Sequence, residues 1–248
     1  MRRNILITGA SSGLGAQMAR EFAALGRNLA LCARRTERLD ELRNELTTNH
    51  PSITVRTRRL DVTDFDDVFT AFDEFAGEFG SLDRVIVNAG IGGGRPVGDG
   101  GFAANLRIAT TNFTAALAQC EAAMRVFRAQ DQGHLVVVSS VGALRGMSGN
   151  GTAYAATKAG LANLAEGIRS DVLNRPIRVT TLYPGVISSE MNPDPTVSRT
   201  IVDTATGVRA MVKAIEQEVN TACVPPWPWR PLAIAMRLVP LRIVAKFV

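Results

Sequence analysis

The 248-residue chain has few of the side chains on which small frameworks are built: three cysteines, two histidines, two tyrosines and two tryptophans. Cys32, Cys120 and Cys223 lie in apolar or helical surroundings without C-x-x-C spacing, and only His50 and His134 accompany them. A disulfide framework and a zinc site are therefore excluded. Basic residues outnumber acidic ones by only 28 to 23, with no dense basic run. Nucleic acid is not expected as a partner. Long apolar runs are also missing near the start: the first one follows two arginines and ends at Gly9, too short for a signal sequence or a membrane span. No linker, repeat or low-complexity segment interrupts residues 1–220. A soluble, cytoplasmic protein is expected.

What is present is alternation. "NILITG" (4–9), "NLALCA" (28–33), "ITVRTRRL" (53–60), "RVIVNA" (84–89), "HLVVVSS" (134–140) and "IRVTTLYP" (177–184) read as strands, and "TACVP" (221–225) as a shorter one. Between them lie helix-like stretches at 15–25, 37–46, 65–79, 111–129 and 154–173. This spacing predicts right-handed crossovers and a parallel sheet covered on both faces. The fold class is α/β, a single doubly wound Rossmann-type domain over residues 1–226 with a mainly parallel sheet of seven strands. In such sheets ligands bind beyond the carboxyl ends of the strands. Those ends carry "TGASSGLG", "ARR", "LDV", "NAG", "SSVG" and "YPG".

"TGASSGLG" (8–15) joins the first strand to the first helix. Glycines allow a sharp turn and a close approach of backbone N–H groups to a phosphate, and the helix start adds partial positive charge. The second strand ends in Ala33, Arg34 and Arg35, where an acidic residue would take the ribose hydroxyls of NAD. Guanidinium instead suits the 2′-phosphate dianion of NADP(H), by charge and by its forked geometry. NAD(H) is the second choice.

In "YAATK" (154–158), Tyr154 and Lys158 are four residues apart and share a helix face. Hydride reduction of a ketone leaves an alkoxide that needs a proton. A tyrosine, with a pKa of about 10 in isolation, can give it once a neighbouring cation favours the phenolate. Lys158 is that cation. The adjacent Ser139 and Ser140 point to opposite sides of a strand, so one of them can face the same space.

With the glycine loop, "NAG", a serine at the fifth strand end, "YAATK" and "YPG" in this order, the chain resembles the short-chain dehydrogenase/reductase family from about residue 3 to 224. The resemblance implies a hydride-transferring, NADPH-dependent oxidoreductase acting on a small carbonyl or alcohol substrate. It implies Gly9, Ser11, Ser12, Gly13, Leu14 and Gly15 along the pyrophosphate and adenosine, and Asp61 and Val62 at the adenine. It also implies Asn88, Ala89 and Gly90 at the adenine ribose. Ser140 fits the family pattern for holding the substrate oxygen. The interval to Tyr154 is one residue longer than usual, within "SGNG" (148–151), which keeps Ser139 as the second choice. Asn112, in a predicted helix, matches an asparagine that disturbs the helix and orders a water leading to the lysine. Lys158 would also hold the nicotinamide ribose. Pro184, Gly185, Val186, Ile187 and Ser189 match the stretch that fixes the carboxamide, with Ser189 in place of the usual threonine. A lid is expected at 190–206. Tyr183 reads as packing and His134 as a loop residue. The alternatives are a catalytically silent NADP-binding sensor and a membrane-surface adaptor.

Residues 227–248, "WPWRPLAIAMRLVPLRIVAKFV", form an apolar tail with four basic residues, no acidic one and two tryptophans. Prolines 228, 231 and 240 rule out one spanning helix. Such a surface must be hidden from water. Packing on the domain or on a second subunit is favoured, since the family commonly associates near its C-terminus, so a homo-oligomer is expected. Peripheral contact with a membrane, arginines toward anionic lipid, is the alternative.

Overall fold

The computed structural model describes residues 2–188, 190 and 201–244. Seven parallel strands form one sheet: β1 (Asn4–Thr8), β2 (Asn28–Ala33), β3 (Val55–Arg59), β4 (Arg84–Val87), β5 (Gly133–Val138), β6 (Ile177–Pro184) and β7 (Thr221–Val224), in the order β3-β2-β1-β4-β5-β6-β7. The chain runs outward one way through β3 and then restarts at β4 beside β1, so β1 and β4 flank the switch point. Strand alternation divides the core between the two faces. Ile5, Ile7, Leu29 and Leu31 pack on one side with α1 (Gly13–Ala24), α2 (Thr36–Asn49) and α7 (Thr204–Glu216). Leu6, Ala30, Cys32 and Val85 pack on the other with α3 (Phe65–Phe79), α5 (Ala115–Gln130) and α6 (Thr152–Asp171). Burial pushes the Cys32 and Cys120 thiols up to about 12, which leaves them unreactive.

Between β4 and α5 the chain forms α4 (Phe102–Ala109), then a π-helical turn, Thr110–Thr114. Helix therefore begins nine residues before the expected start at 111, directly after the glycine-rich loop. Downstream of β7, α8 (Pro226–Leu238) and the short α9 (Leu241–Val244) close the described chain. Residues 245–248 of the tail and 191–200 of the expected lid lie outside the described residues.

His134 is not in a loop. It is the second residue of β5 and fully buried, because polar partners await it there. Arg84 Nε donates to its Nδ1 at 2.9 Å, and its Nε2 lies 2.9 Å from Thr180 Oγ1, which in turn donates to the Val219 carbonyl at 2.6 Å. That chain of bonds fixes a neutral imidazole with the proton on Nε2. Burial first, then the Arg84 charge, holds its pKa well below the ordinary value. Arg84 also pairs with Glu216, so this network ties β4, β5, β6 and α7 together at the amino ends of the strands. A β-strand pattern alone could not distinguish such a residue from a loop polar.

Candidate active site

The opposite, carboxyl ends of the strands open into a cleft of about 1420 Å³. Sheet order sets its two ends. Arg34 and Asp61 follow β2 and β3 on one side; Ser140 and Gly185 follow β5 and β6 on the other. Along its floor Gly9 (φ +66°) and Gly13 (φ +53°) take left-handed conformations that favour glycine. Gly15 is needed for proximity: a Cβ there would lie 2.3 Å from the Gly9 carbonyl oxygen. The loop is pinned across the switch point by Thr8, whose Oγ1 accepts from the Asn88 and Ala89 amides at 3.1 and 3.2 Å. Asn88 Nδ2 returns a bond to the Thr8 carbonyl at 2.9 Å. Ser12, the residue capping α1, makes no side-chain cap bond, so the first-turn amides keep their donors for an anion.

At the outer end, Arg35 forks onto Ser11 Oγ (3.2 Å) and Ser12 Oγ (2.6 Å) and reaches Glu190 at 3.1 Å. Arg38 pairs with the same carboxylate. These bonds, Arg38 first, hold the Glu190 carboxyl down to about 2. Arg34 lines the cleft and has no ion-pair or hydrogen-bond partner among the described residues. At Asp61, partial burial opposes ionisation, but the Thr63 amide and hydroxyl and the charges of Arg34 and Arg59 outweigh it, for a net lowering. Leu14, Val62, Ala89 and Gly90 also line the cleft.

At the inner end the π turn places Asn112, fully buried, against the loop after β4. Such bulges interrupt a helix at the cost of regular hydrogen bonding and recur at functional sites. A Cβ on Gly90 would come within 3.2 Å of Asn112 Oδ1 and 3.3 Å of Lys158 Nζ, so glycine keeps this junction open. Tyr154 and Lys158 do share one face of α6. The lysine is 4 % exposed, its Nζ donates to the Val138 carbonyl at 2.9 Å, and it sits 5.9 Å from the centre of the Tyr154 ring. Burial alone pulls the ammonium down to about 8. The Tyr154 phenol is pushed up, by burial first, with the neighbouring Ser140 hydroxyl pulling it partly back. The two serines separate as strand geometry requires. Ser139 is buried and donates to the Lys158 carbonyl at 2.8 Å, which anchors α6; Ser140 stands beside the phenol.

Pro184, Gly185, Val186 and Ile187 line the cleft after β6. Ile187 bridges to Val202, and the Ser188 amide donates to the Val202 carbonyl at 3.0 Å, so both ends of the expected lid are tied together. Ser189 lies outside the described residues, and residues 204–206 belong to α7. The tail supplies what the sequence did not announce. α8 folds over the inner end of the cleft, where Trp229, Leu232, Met236 and Val239 form a wall. Trp229 lies directly on Gly185, where a Cβ would come within 2.0 Å of the indole nitrogen. Among the described residues no helix is long and apolar enough to cross a membrane.

The model of the short chain dehydrogenase family matches residues 3–198. The chain belongs to that family. It is thus an oxidoreductase of the hydride-transferring, nicotinamide-cofactor type acting on small molecules. An uncharacterised oxidoreductase of Mycobacterium tuberculosis is 51 % identical over 246 residues, covering 99 % of this chain and 97 % of the relative. An NADP-dependent 3-hydroxy acid dehydrogenase of Schizosaccharomyces pombe is 30 % identical, covering 77 % of this chain and 73 % of that one. Among solved structures, levodione reductase superposes with a TM-score of 0.84 at 25 % identity, over 93 % of this chain and 98 % of that one. The fold is also similar to that of a short-chain dehydrogenase/reductase of Burkholderia phymatum bound to NAD (TM-score 0.83, 18 % identity, 99 % and 95 % covered) and of an alcohol dehydrogenase of Thermococcus sibiricus bound to 5-hydroxy-NADP (0.80, 22 %, 89 % and 95 %). The uncapped α1 amides, the close glycine packing and a cleft of about 1420 Å³ fit a dinucleotide in this family's chain.

Proposed function

We propose that this chain is an NADPH-dependent carbonyl reductase, interconverting a ketone and its secondary alcohol, with Tyr154 as the proton donor. NADPH supplies the hydride that forms the new C–H bond as the carbonyl π bond breaks. The chain supplies the proton. With its pKa raised by burial, Tyr154 holds its proton at neutral pH, as a donor must. Giving that proton to the substrate oxygen completes the alcohol and leaves a phenolate. The Ser140 hydroxyl and the buried Lys158 ammonium, still protonated below about 8, then offset the new negative charge. In the oxidative direction the phenolate takes the proton back.

Lys158 Nζ has donors to spare beyond its bond to the Val138 carbonyl, and we assign them to the nicotinamide ribose. Asn112 positions the Ile91 backbone beside the lysine. At the other end Arg34, with Ala33 ending β2 in place of a carboxylate, favours a 2′-phosphate over a free ribose hydroxyl. Arg35 can join it once Glu190 lets go. The observation that carries this reading is the meeting of Ser140, Tyr154 and a buried lysine at the inner end of a cleft whose outer end offers an unpartnered arginine. Consumption of NADPH and of NADH with a panel of ketones, with the alcohol products identified, tests it. Tight NADPH binding with no turnover of any ketone would favour a silent cofactor-binding protein.

A further inference from the structure

The inner end of the cleft has a composition of its own. Its walls are apolar: Leu106 of α4, Met147 of the loop before α6, and Trp229, Leu232, Met236 and Val239 of the α8 segment. Two arginines line the same cleft, Arg107 at the end of α4 and Arg145 after the 3-10 turn Val141–Leu144. Neither has an ion-pair partner among the described residues, although most ion pairs of this chain use arginine. Arg145, half-buried, has only a long bond of 3.4 Å to the Val239 carbonyl, at the end of α8. Among the described residues the two acidic ones that line the cleft, Asp61 and Glu190, are at the far end and already engaged by Thr63 and by Arg35 and Arg38.

The half-buried Arg145 guanidinium loses part of its hydration at the edge of an apolar cavity and gains only the long bond to Val239 in return unless an anion meets it, whereas the exposed Arg107 keeps its water until one arrives. An uncharged apolar ketone would fill the wall but leave both charges unanswered. A compact polar sugar would answer neither the wall nor the charges. Leu232 of this wall is partly exposed, and further along the chain Leu238 and Leu241 are 79 % and 57 % exposed.

We propose that the substrate is an amphiphilic anion: an apolar chain bearing the ketone or secondary hydroxyl, with a carboxylate held by Arg107 and Arg145. This rests on the carbonyl-reductase reading for the redox step but not for the binding. Hydride from NADPH and the Tyr154 proton convert the oxo acid to the hydroxy acid, and the carboxylate takes no part in bond making.

The test separates binding from turnover. Dodecanoate and dodecanol serve as charged and neutral probes of equal length, read by quenching of tryptophan fluorescence, since Trp229 is in the wall. Dodecanoate should bind about tenfold or more tighter than dodecanol, the scale of one charge-assisted contact. Arg107→Gln and Arg145→Gln should each erase most of that preference and leave dodecanol unchanged. Arg107 is exposed, so its variant is expected to fold and decides the matter if the Arg145 variant does not. Turnover is then compared between medium-chain oxo acids and their methyl esters. Equal binding of the two probes, or a preference that survives Arg107→Gln, overturns the inference. Turnover of neutral ketones with oxo acids refused would sink it while sparing the reductase reading. Arginine-dependent dodecanoate binding without any NADPH-linked turnover would do the opposite.

Discussion

Asn112 grips the backbone of Ile91 from both sides: its Nδ2 donates to the Ile91 carbonyl at 2.9 Å, and the Ile91 amide donates to its Oδ1 at 2.8 Å. The π turn in the helix exists around this contact, and it fixes the loop that passes Lys158. Leucine has the same shape and neither bond. Asn112→Leu should leave two backbone groups unsatisfied at a cost of about 1–3 kcal/mol each if they stay buried. Thermal unfolding should show the loss, and turnover should fall by more than cofactor affinity.

Tyr154→Phe removes only the phenolic oxygen. Turnover should fall on the order of 10²-fold or more, as expected for the loss of a general acid. NADPH affinity, measured by fluorescence titration, should stay within a few-fold. A variant that still reduces ketones at the normal rate would require another proton donor.

The Lys158 ammonium gives the free protein a distinctive pH response. Its pKa is lowered from 10.5 to about 8 in the fold, so above that value the unfolded chain binds more protons than the native one. The contribution of this group to stability should therefore rise as pH increases from about 8 toward 10. Tyr154, shifted up, acts in the opposite sense only where the unfolded phenol ionises, above about 10. Cys32 and Cys120, raised from about 9 to about 12 by burial, oppose this rise from about 9 upward, so the lysine is read as the difference in melting temperature between wild type and Lys158→Met, which should move in favour of wild type between about 8 and 10.

Arg34→Ala should weaken NADPH by roughly one to two decades, the scale of a charge-assisted phosphate contact, and leave NADH nearly unchanged. Glu190→Gln should move the other way. Its carboxylate now occupies Arg35 and Arg38, and releasing them should tighten NADPH more than NADH. Parallel shifts for both cofactors in both variants would place the 2′-phosphate elsewhere.

Gly185→Ala would drive a methyl group into the Trp229 indole. Overpacking of this kind costs about 1–3 kcal/mol, and here it also displaces the wall of the inner cleft. We expect a lower melting temperature and a raised KM for ketones. Because the two residues touch, adding Trp229→Ala should restore part of the stability, a coupling that a double-mutant cycle measures.

The central strands were legible because both faces of the sheet are buried there, which makes each one a short apolar run such as "LVVV" within β5, whereas the edge strand β3 is the mixed "VRTRR". Their ends were legible for a different reason: polar clusters such as Asn88 and Ser139–Ser140 follow apolar runs only where the chain leaves the core. The glycine loop and the Tyr154–Lys158 pair are each local in sequence, so spacing alone made each of them legible. What stayed hidden was non-local. Nothing in "WPWRPLAIAMRL" says which surface it covers, and only the fold sets Trp229 on Gly185. Glu190 reads as an ordinary loop acid until Arg35 and Arg38 are placed beside it. Arg84 and His134 look like strand-end polars because their bonds join residues 50 positions apart.

That Arg84–His134 network lies at the amino ends of the strands, whereas Tyr154, Lys158 and the glycine loop gather at the carboxyl ends. A strand of five residues keeps the two roughly 15–20 Å apart. Changes more than about 10 Å apart with no shared partner usually contribute independently. The molecule therefore has one end that can drift toward new chemistry and another that can be reinforced to absorb the damage. A directed-evolution campaign could strengthen the anchor first and then remodel the mouth, with little conflict between the two steps.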